Sequence, residues 1–346
     1  MKKRCIALYS GGLDSILAVK ILMAQSIEVV PIYFTTPFFG FDALRNPEYF
    51  QLDHEQKYGI SVQVIDFTED FLPILIEPAH GFGKHLNPCI DCKIAMLRKT
   101  MTLLDTVDAS FVITGEVIGQ RPMSQRRDSM NVIEKQSGLQ NILLRPLCAH
   151  SMQETLPEKM GVVDRKALMG LSGRGRKTQV TLAQNFGIDK KDIPTPAGGC
   201  LLTNEQIALK VKDTIKRVAP NMISKHDVLL DVVGRKFILD RNTVLVVSRN
   251  DQENKMLSTM KDPLNVFLRI NDIAGPLCVV RGNANMENLH KAAGICLRYT
   301  KGKGKSGCLA LYGNNFQRMG TCLEAPVFSE EYCRSFQIDL HVKVSV

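Results

Sequence analysis

No apolar run in the 346-residue chain approaches the ~20 residues of a membrane span, and there is no internal repeat or low-complexity tract. The seven histidines include no close pair of the metal-binding kind. The glycine turn near the N-terminus lacks both the lysine of a Walker P-loop and the spaced glycines of a dinucleotide fingerprint, so neither standard phosphate motif applies. The basic start, Met1 to Arg4, is followed by an apolar piece too short for a signal peptide, so a cytosolic location is expected. What remains is ordinary globular composition, 45% hydrophobic and 23% charged, in a chain long enough for two or three domains.

The most informative string is Ser10-Gly11-Gly12-Leu13-Asp14-Ser15. It follows the apolar run Cys5 to Tyr9 and opens an amphipathic stretch from Leu13 to Leu22, which places it at a strand-to-helix turn. Two glycines allow a sharp turn whose free N–H groups, at the positive end of the helix dipole, suit a phosphate. Ser10 and Ser15 add hydroxyl donors, and Asp14 is placed to hold Mg²⁺ against the same phosphates.

Further on, Ile27–Phe34, Val62–Phe67, Ser110–Thr114 and Asn141–Arg145 read as strands, with helices at Ile90–Leu104 and Asp128–Gln136. This alternation predicts an α/β fold with a doubly wound parallel sheet, its ligands at the carboxyl ends of the strands. A helical stretch is expected from Arg165 to Phe186, interrupted by the basic Gly173–Lys177. Beyond Pro220, Val228–Val233, Phe237–Leu239 and Val244–Val247 read as short strands of a separate α+β domain. The domains are set at 1–204 and 205–346. The second carries 21 Lys+Arg against 14 Asp+Glu, and the first 23 against 21, so the C-terminal part is the basic one and suggests a polyanionic partner.

Ten cysteines in a reducing compartment point to metal or catalytic chemistry before disulfides. Cys5, Cys278 and Cys296 lie in apolar segments and read as core. Cys89 and Cys92, in Asn87-Pro88-Cys89-Ile90-Asp91-Cys92, stand at an expected helix start, where a thiolate is favoured. Cys200, in a glycine turn, is the third member. Three thiolates suit a [4Fe–4S] cluster with one open iron; a persulfide with a resolving cysteine, or zinc with a fourth ligand such as His85 or Cys148, are the alternatives.

The Ser10–Ser15 string resembles the PP-loop of the ATP pyrophosphatases, which cleave ATP between its α and β phosphates. Thr114–Gln125, followed by Leu144-Arg145-Pro146-Leu147, resembles the corresponding block of the tRNA 4-thiouridine synthases. The Asn-Pro-Cys-x-x-Cys and Pro-Ala-Gly-Gly-Cys blocks are similar to a related group akin to the 2-thiouridylases. Together these cover residues 4 to about 204. Arg298–Lys305 is similar to the RNA-binding domain of NFACT proteins.

The resemblance implies ATP-dependent thiolation of a tRNA uridine. Ser10, Gly11, Gly12, Asp14 and Ser15 would hold the pyrophosphate and its metal, and Gly115, Gln120 and Ser124 would line the nucleotide or base. Cys89, Cys92 and Cys200 would deliver sulfur, with Asp14, Cys89 and Cys200 as the catalytic set. Arg121, Arg126 and Arg127, with Arg298, Lys301, Lys303 and Lys305, would contact RNA; Arg145 is a further site candidate. The expected partners are tRNA, a sulfur donor (cysteine desulfurase or free sulfide) and a second copy of the chain. Because the PP-loop starts at residue 10, tRNA docking is expected to use a surface other than an N-terminal extension. Two rival readings are an adenylating enzyme that transfers nitrogen, which needs no cysteine triad, and a non-catalytic RNA-binding protein that retains the nucleotide fold.

Overall fold

The computed structural model describes residues 1–196 and 199–338. The chain divides into two compact units, Met1–Thr203 and Asn204–Val346. Ala197 and Gly198, of the Pro-Ala-Gly-Gly-Cys turn, lie outside the described residues.

In the first unit the strands are β1 (Arg4–Tyr9), β2 (Glu28–Thr35), β3 (Gln63–Asp66), β4 (Phe111–Thr114) and β5 (Leu143–Leu144). They form one parallel sheet in the order β3-β2-β1-β4-β5. The helices are α1 (Leu13–Met23), α2 (Phe41–Arg45), α3 (Pro47–Tyr58), α4 (Thr68–Ile76), α5 (Cys89–Leu103), α6 (Arg127–Ser137), α7 (Leu156–Lys159) and α8 (Lys177–Asn185). Residues alternate across β1: Cys5, Ala7 and Tyr9 pack into a core with Ile16, Leu17 and Ala183, while Ile6 and Leu8 turn to the other face. Each such fully buried large aliphatic side chain stabilises by about 1.5–3 kcal/mol. Strand order reverses at β1, between β2 and β4, and that opens a crevice at their carboxyl ends. The glycine turn leaves β1 at this crevice.

One expectation here is corrected. Before the expected interruption at Gly173–Lys177 there is no helix but a 3-10 turn at Arg165–Ala167 and irregular chain, and the helix after it, α8, runs from Lys177 to Asn185. Gly173, at φ +82°, takes a left-handed conformation that breaks helical continuation.

The second unit contains α9 (Glu205–Arg217), α10 (Lys225–Val232), β6 (Arg235–Asp240), β7 (Thr243–Val247), α11 (Asp251–Ser258), β8 (Asn265–Ile270), β9 (Cys278–Arg281), α12 (Met286–Arg298), β10 (Leu309–Gly313), β11 (Thr321–Glu324) and α13 (Glu330–Ser335). Among the described residues its strands are antiparallel in the order β11-β10-β8-β9-β7-β6. Helix α12 lays Leu289, Ala292, Ala293 and Cys296 on a core shared with Cys278 and Leu268. Cys5, Cys278 and Cys296 are fully buried core residues, as the sequence predicts.

Of Val228–Val233, which read as a strand, Val228–Val232 instead belong to α10 and Val233 caps its end. Ser224 caps the helix, its hydroxyl accepting from Asp227 N while Asp227 accepts from Ser224 N, and this reciprocal box outweighs the β propensity of the valines.

Candidate active site

Gly11 has φ +69°, which favours glycine, and a Cβ there would stand 3.4 Å from His54 Nε2. Gly12 caps α1 without any side-chain bond, so the first-turn N–H groups are not covered by a capping side chain. Ser15 is buried; its Oγ donates to Gly12 O at 2.8 Å and accepts from Ser10 N at 3.2 Å, so it shapes the loop from within. A Cβ on Gly115 would lie 2.5 Å from Asp14 O and Ser15 N. Only glycine lets the end of β4 approach the loop this closely.

Asp14 accepts from Gln120 Nε2 at 2.5 Å. Burial lifts its carboxyl above the usual range, partly offset by Gln120, Arg176, Gln179 and Arg121 around it. Gln179 on α8 is itself buried and has no sequence signature that would have singled it out. Gln120 belongs to a loop closed by Gly119 N to Gln125 O at 2.7 Å and tied to the 171–176 segment by Gly173 N to Ile118 O at 2.7 Å.

The cysteine segments reach the same loop. Asn87 Nδ2 donates to Cys89 Sγ at 3.1 Å and to Met123 Sδ at 3.6 Å. Since a thioether can only accept, Met123 fixes the orientation of the amide. Leu86 N donates to Leu202 O at 3.3 Å, which joins the Cys89 segment to that of Cys200. Arg121 Nη1 lies 3.8 Å from where a Cβ on Gly199 would stand, beside Cys200.

The three thiols are within electrostatic reach of one another. Burial pushes Cys200 up to about 12, with Cys89 adding to it. Cys92 is held higher still, by burial first and then by Cys200 and Cys89, against the opposing charge of Lys93. Their soft donor chemistry suits a cluster, yet among the described residues no three Cys, His, Asp or Glu side chains are gathered closely enough to hold a metal ion.

Arg145 differs from its expected role. Its guanidinium is buried and bonded to Glu116 Oε2, Glu134 Oε2 and Met130 O, so its charge is already matched by two carboxylates and it braces the sheet end. Burial alone would raise the Glu116 carboxyl, but Lys93 and Arg145 override it and hold it below the usual range. His80 Nδ1 pairs with Asp91 Oδ1 at 2.7 Å, anchoring the loop before α5. Cys148 is buried, its Sγ donating to Glu116 O at 3.3 Å. Ser124 is half-buried on the Gln120 loop, Arg126 is exposed, and Arg127 donates to Ser151 O at 2.8 Å.

In the second unit, Lys301, Lys303 and Lys305 are exposed, and the buried Gly302 pins their loop because a Cβ there would meet Ile273 at 2.5 Å. Arg298 pairs with Glu330 at 2.5 Å and is therefore already partnered.

Residues 1–158 match the family model described as "Thiamine biosynthesis protein (ThiI)", and residues 234–336 that described as "NFACT protein RNA binding domain". The chain resembles the tRNA sulfurtransferases. It is 24% identical over 169 residues to a "Probable tRNA sulfurtransferase" of Thermococcus kodakarensis, covering 48% of this chain and 42% of that protein. A protein of the same description from Methanosarcina acetivorans is 29% identical over 115 residues, 33% of this chain and 28% of its own length. The matches thus span less than half the length of these curated relatives. Among solved structures, a "4-thiouridine synthetase - RNA complex with bound ATP" aligns at 19% identity and TM-score 0.39, over 57% of this chain and 44% of that one. Among the described residues, no helix is long and apolar enough to cross a membrane.

Proposed function

We propose that the chain is an ATP-dependent tRNA sulfurtransferase. It adenylates a uridine carbonyl oxygen at the Ser10–Ser15 turn and replaces that oxygen with sulfur delivered through Cys89, Cys92 and Cys200. One observation carries the reading: a single loop serves both halves of such a reaction. Gln120 meets Asp14, Met123 meets the amide that holds Cys89, and Arg121 stands beside Gly199 and Cys200. A nitrogen-transferring relative would need only the first of these contacts.

The uridine oxygen is a poor leaving group, so it must first be activated. It attacks the α-phosphorus of ATP, and pyrophosphate departs into the glycine turn. One of the three cysteines, loaded as a persulfide by a sulfane-sulfur donor, adds its terminal sulfur to the activated carbon as AMP leaves with the former carbonyl oxygen. A second thiol then attacks the cysteine sulfur, which frees the thiouridine and leaves a disulfide for a thiol reductant to reopen. Backbone N–H groups of the turn, with Arg121 and Arg176 around Asp14, hold the phosphates and offset their developing charge. The buried, unpartnered Asp14 Oδ1 is a fitting ligand for Mg²⁺, which when bound with ATP neutralises the leaving pyrophosphate. Among the described residues the three thiols are not gathered as a metal site, so they would act as thiols and not as cluster ligands. The NFACT-like unit, with its basic balance, would dock the tRNA.

The test is an anaerobic assay of the full chain with tRNA, ATP, Mg²⁺, a cysteine desulfurase with cysteine as sulfane-sulfur donor and a thiol reductant, measuring pyrophosphate and, by mass spectrometry of digested tRNA, thionucleoside. Iron, zinc and acid-labile sulfide are determined on the same sample. Equal yields of pyrophosphate and thiouridine are expected, and Asp14→Ala should abolish both. Pyrophosphate formed without any thionucleoside would overturn the reading.

A further inference from the structure

Gln120 uses Nε2 on Asp14 Oδ2, and each of the two side chains so joined keeps one acceptor, Asp14 Oδ1 and Gln120 Oε1, that is sealed from solvent and lacks a hydrogen-bond partner. The amide orientation follows from the chemistry. A carboxylate only accepts, so the NH₂ must face it, and the carbonyl oxygen is left over. Buried polar atoms in native proteins are nearly always satisfied, so two such oxygens on hydrogen-bonded side chains point to an occupant that accepts electron pairs from oxygen.

The surroundings narrow its class. Both donors are hard oxygens and one belongs to a carboxylate, the ligand type of Mg²⁺ or Mn²⁺. Arg121 and Arg176 lie close enough to act on the Asp14 charge. One carboxylate against two guanidiniums repels a bare divalent cation and welcomes one that arrives with phosphates. Loop geometry supports rigid presentation: Gly119 N to Gln125 O at 2.7 Å and Gln120 N to Val117 O at 3.2 Å fix the backbone from which Gln120 projects.

We propose that Gln120 Oε1, together with Asp14 Oδ1, is a direct ligand of the divalent cation that accompanies the nucleotide, so that Gln120 serves the metal and does not read a base. The assignment rests on the reading that the Ser10–Ser15 turn binds ATP, and it extends that site by one ligand supplied from the loop after β4. Cation affinity should therefore depend on the nucleotide being present.

The experiment uses the full chain with Mn²⁺ and α,β-methylene-ATP, which cannot be cleaved at the relevant bond. Bound Mn²⁺ is followed by electron paramagnetic resonance, and binding of the analogue alone is measured in EDTA. Gln120→Leu removes the oxygen at similar size, and Gln120→Glu keeps an oxygen there. With analogue present, Gln120→Leu should weaken Mn²⁺ by at least the roughly tenfold typical of lost metal-site support. Its binding of analogue in EDTA and its thermal midpoint should stay near wild type, and Gln120→Glu should restore Mn²⁺ binding. Unchanged Mn²⁺ affinity in Gln120→Leu, or equal loss in Gln120→Glu, overturns the assignment. So does weakened binding of the analogue in EDTA with Mn²⁺ unaffected, which would mark Gln120 as a nucleotide reader. A wild type that binds neither probe removes the ATP reading as well. One that binds both while leaving tRNA unthiolated sinks the proposed reaction and leaves the ligand in place.

Discussion

At the residue scale, Asp14 is where function and stability oppose each other. Burial raises its folded-state pKa, whereas the unfolded chain ionises it in the ordinary carboxylate range. For an acid raised on folding, the unfolded state releases its proton first, so stability falls as pH climbs from the unfolded pKa through the folded one. At neutral pH the ionised side chain therefore costs stability. Asp14→Asn keeps the volume and removes the charge. It should raise the thermal midpoint at pH 7 relative to wild type, with the gain vanishing as pH drops below the unfolded carboxylate range. Pyrophosphate release should meanwhile fall at least ~100-fold, the scale of losing a key electrostatic group. Calorimetry across pH beside a pyrophosphate assay checks both; a lowered midpoint at pH 7 would show that Asp14 is stabilising and reverse the argument.

At the element scale, the helix start that presents Cys89 is linked to the Cys200 turn through Leu86 N to Leu202 O, so the cysteines should behave as one site despite their separation in sequence. Serine at Cys89, Cys92 or Cys200 should each cut thionucleoside formation by ~100-fold or more, because groups acting as a unit are lost together. Pyrophosphate release should persist, since the glycine turn is untouched. Cys278→Ser is the control: this thiol is buried in β9 against α12, so the change should lower the thermal midpoint and spare product per folded molecule. Equal loss of product in the control would assign the effect to the fold. These elements also mark what the sequence could disclose. The phosphate turn was readable because its chemistry is local, with glycines, a serine pair and an acid within six residues of a strand end. Helix α10 reads as a strand in the sequence because its capping box competes with a run of valine and leucine whose burial looks alike in a strand or a helix. Gln179 and the Asn87–Met123 contact left no trace in the sequence, since both depend on tertiary meetings of distant segments. Arg145 reads as a site residue from its place beside a proline, and only the buried Glu116 and half-buried Glu134 reveal that its charge is already paired.

At the scale of the whole molecule, charge is divided between the units: most of the formal +9 falls after residue 204, in the part that matches an RNA-binding family model over 234–336. Position and charge separate the basic residues further. Arg298 is tied to Glu330, and Arg235 sits 4.9 Å over the Tyr299 ring, so both are already engaged within the unit. Lys301, Lys303 and Lys305 have their side chains in solvent, on a loop that Gly302 holds against Ile273. A pinned loop loses little backbone entropy on binding, and each phosphate contact releases counterions. Alanine at all three lysines should therefore weaken tRNA binding and flatten the dependence of log K on log salt by up to ~2–3 units. Binding of the ATP analogue should not change, because the glycine turn belongs to the other unit. Arg298→Ala, by contrast, should act mainly on thermal stability through its lost partner Glu330. Filter binding at several salt concentrations distinguishes the two effects, and an unaltered slope in the triple variant would take this loop out of the RNA interface.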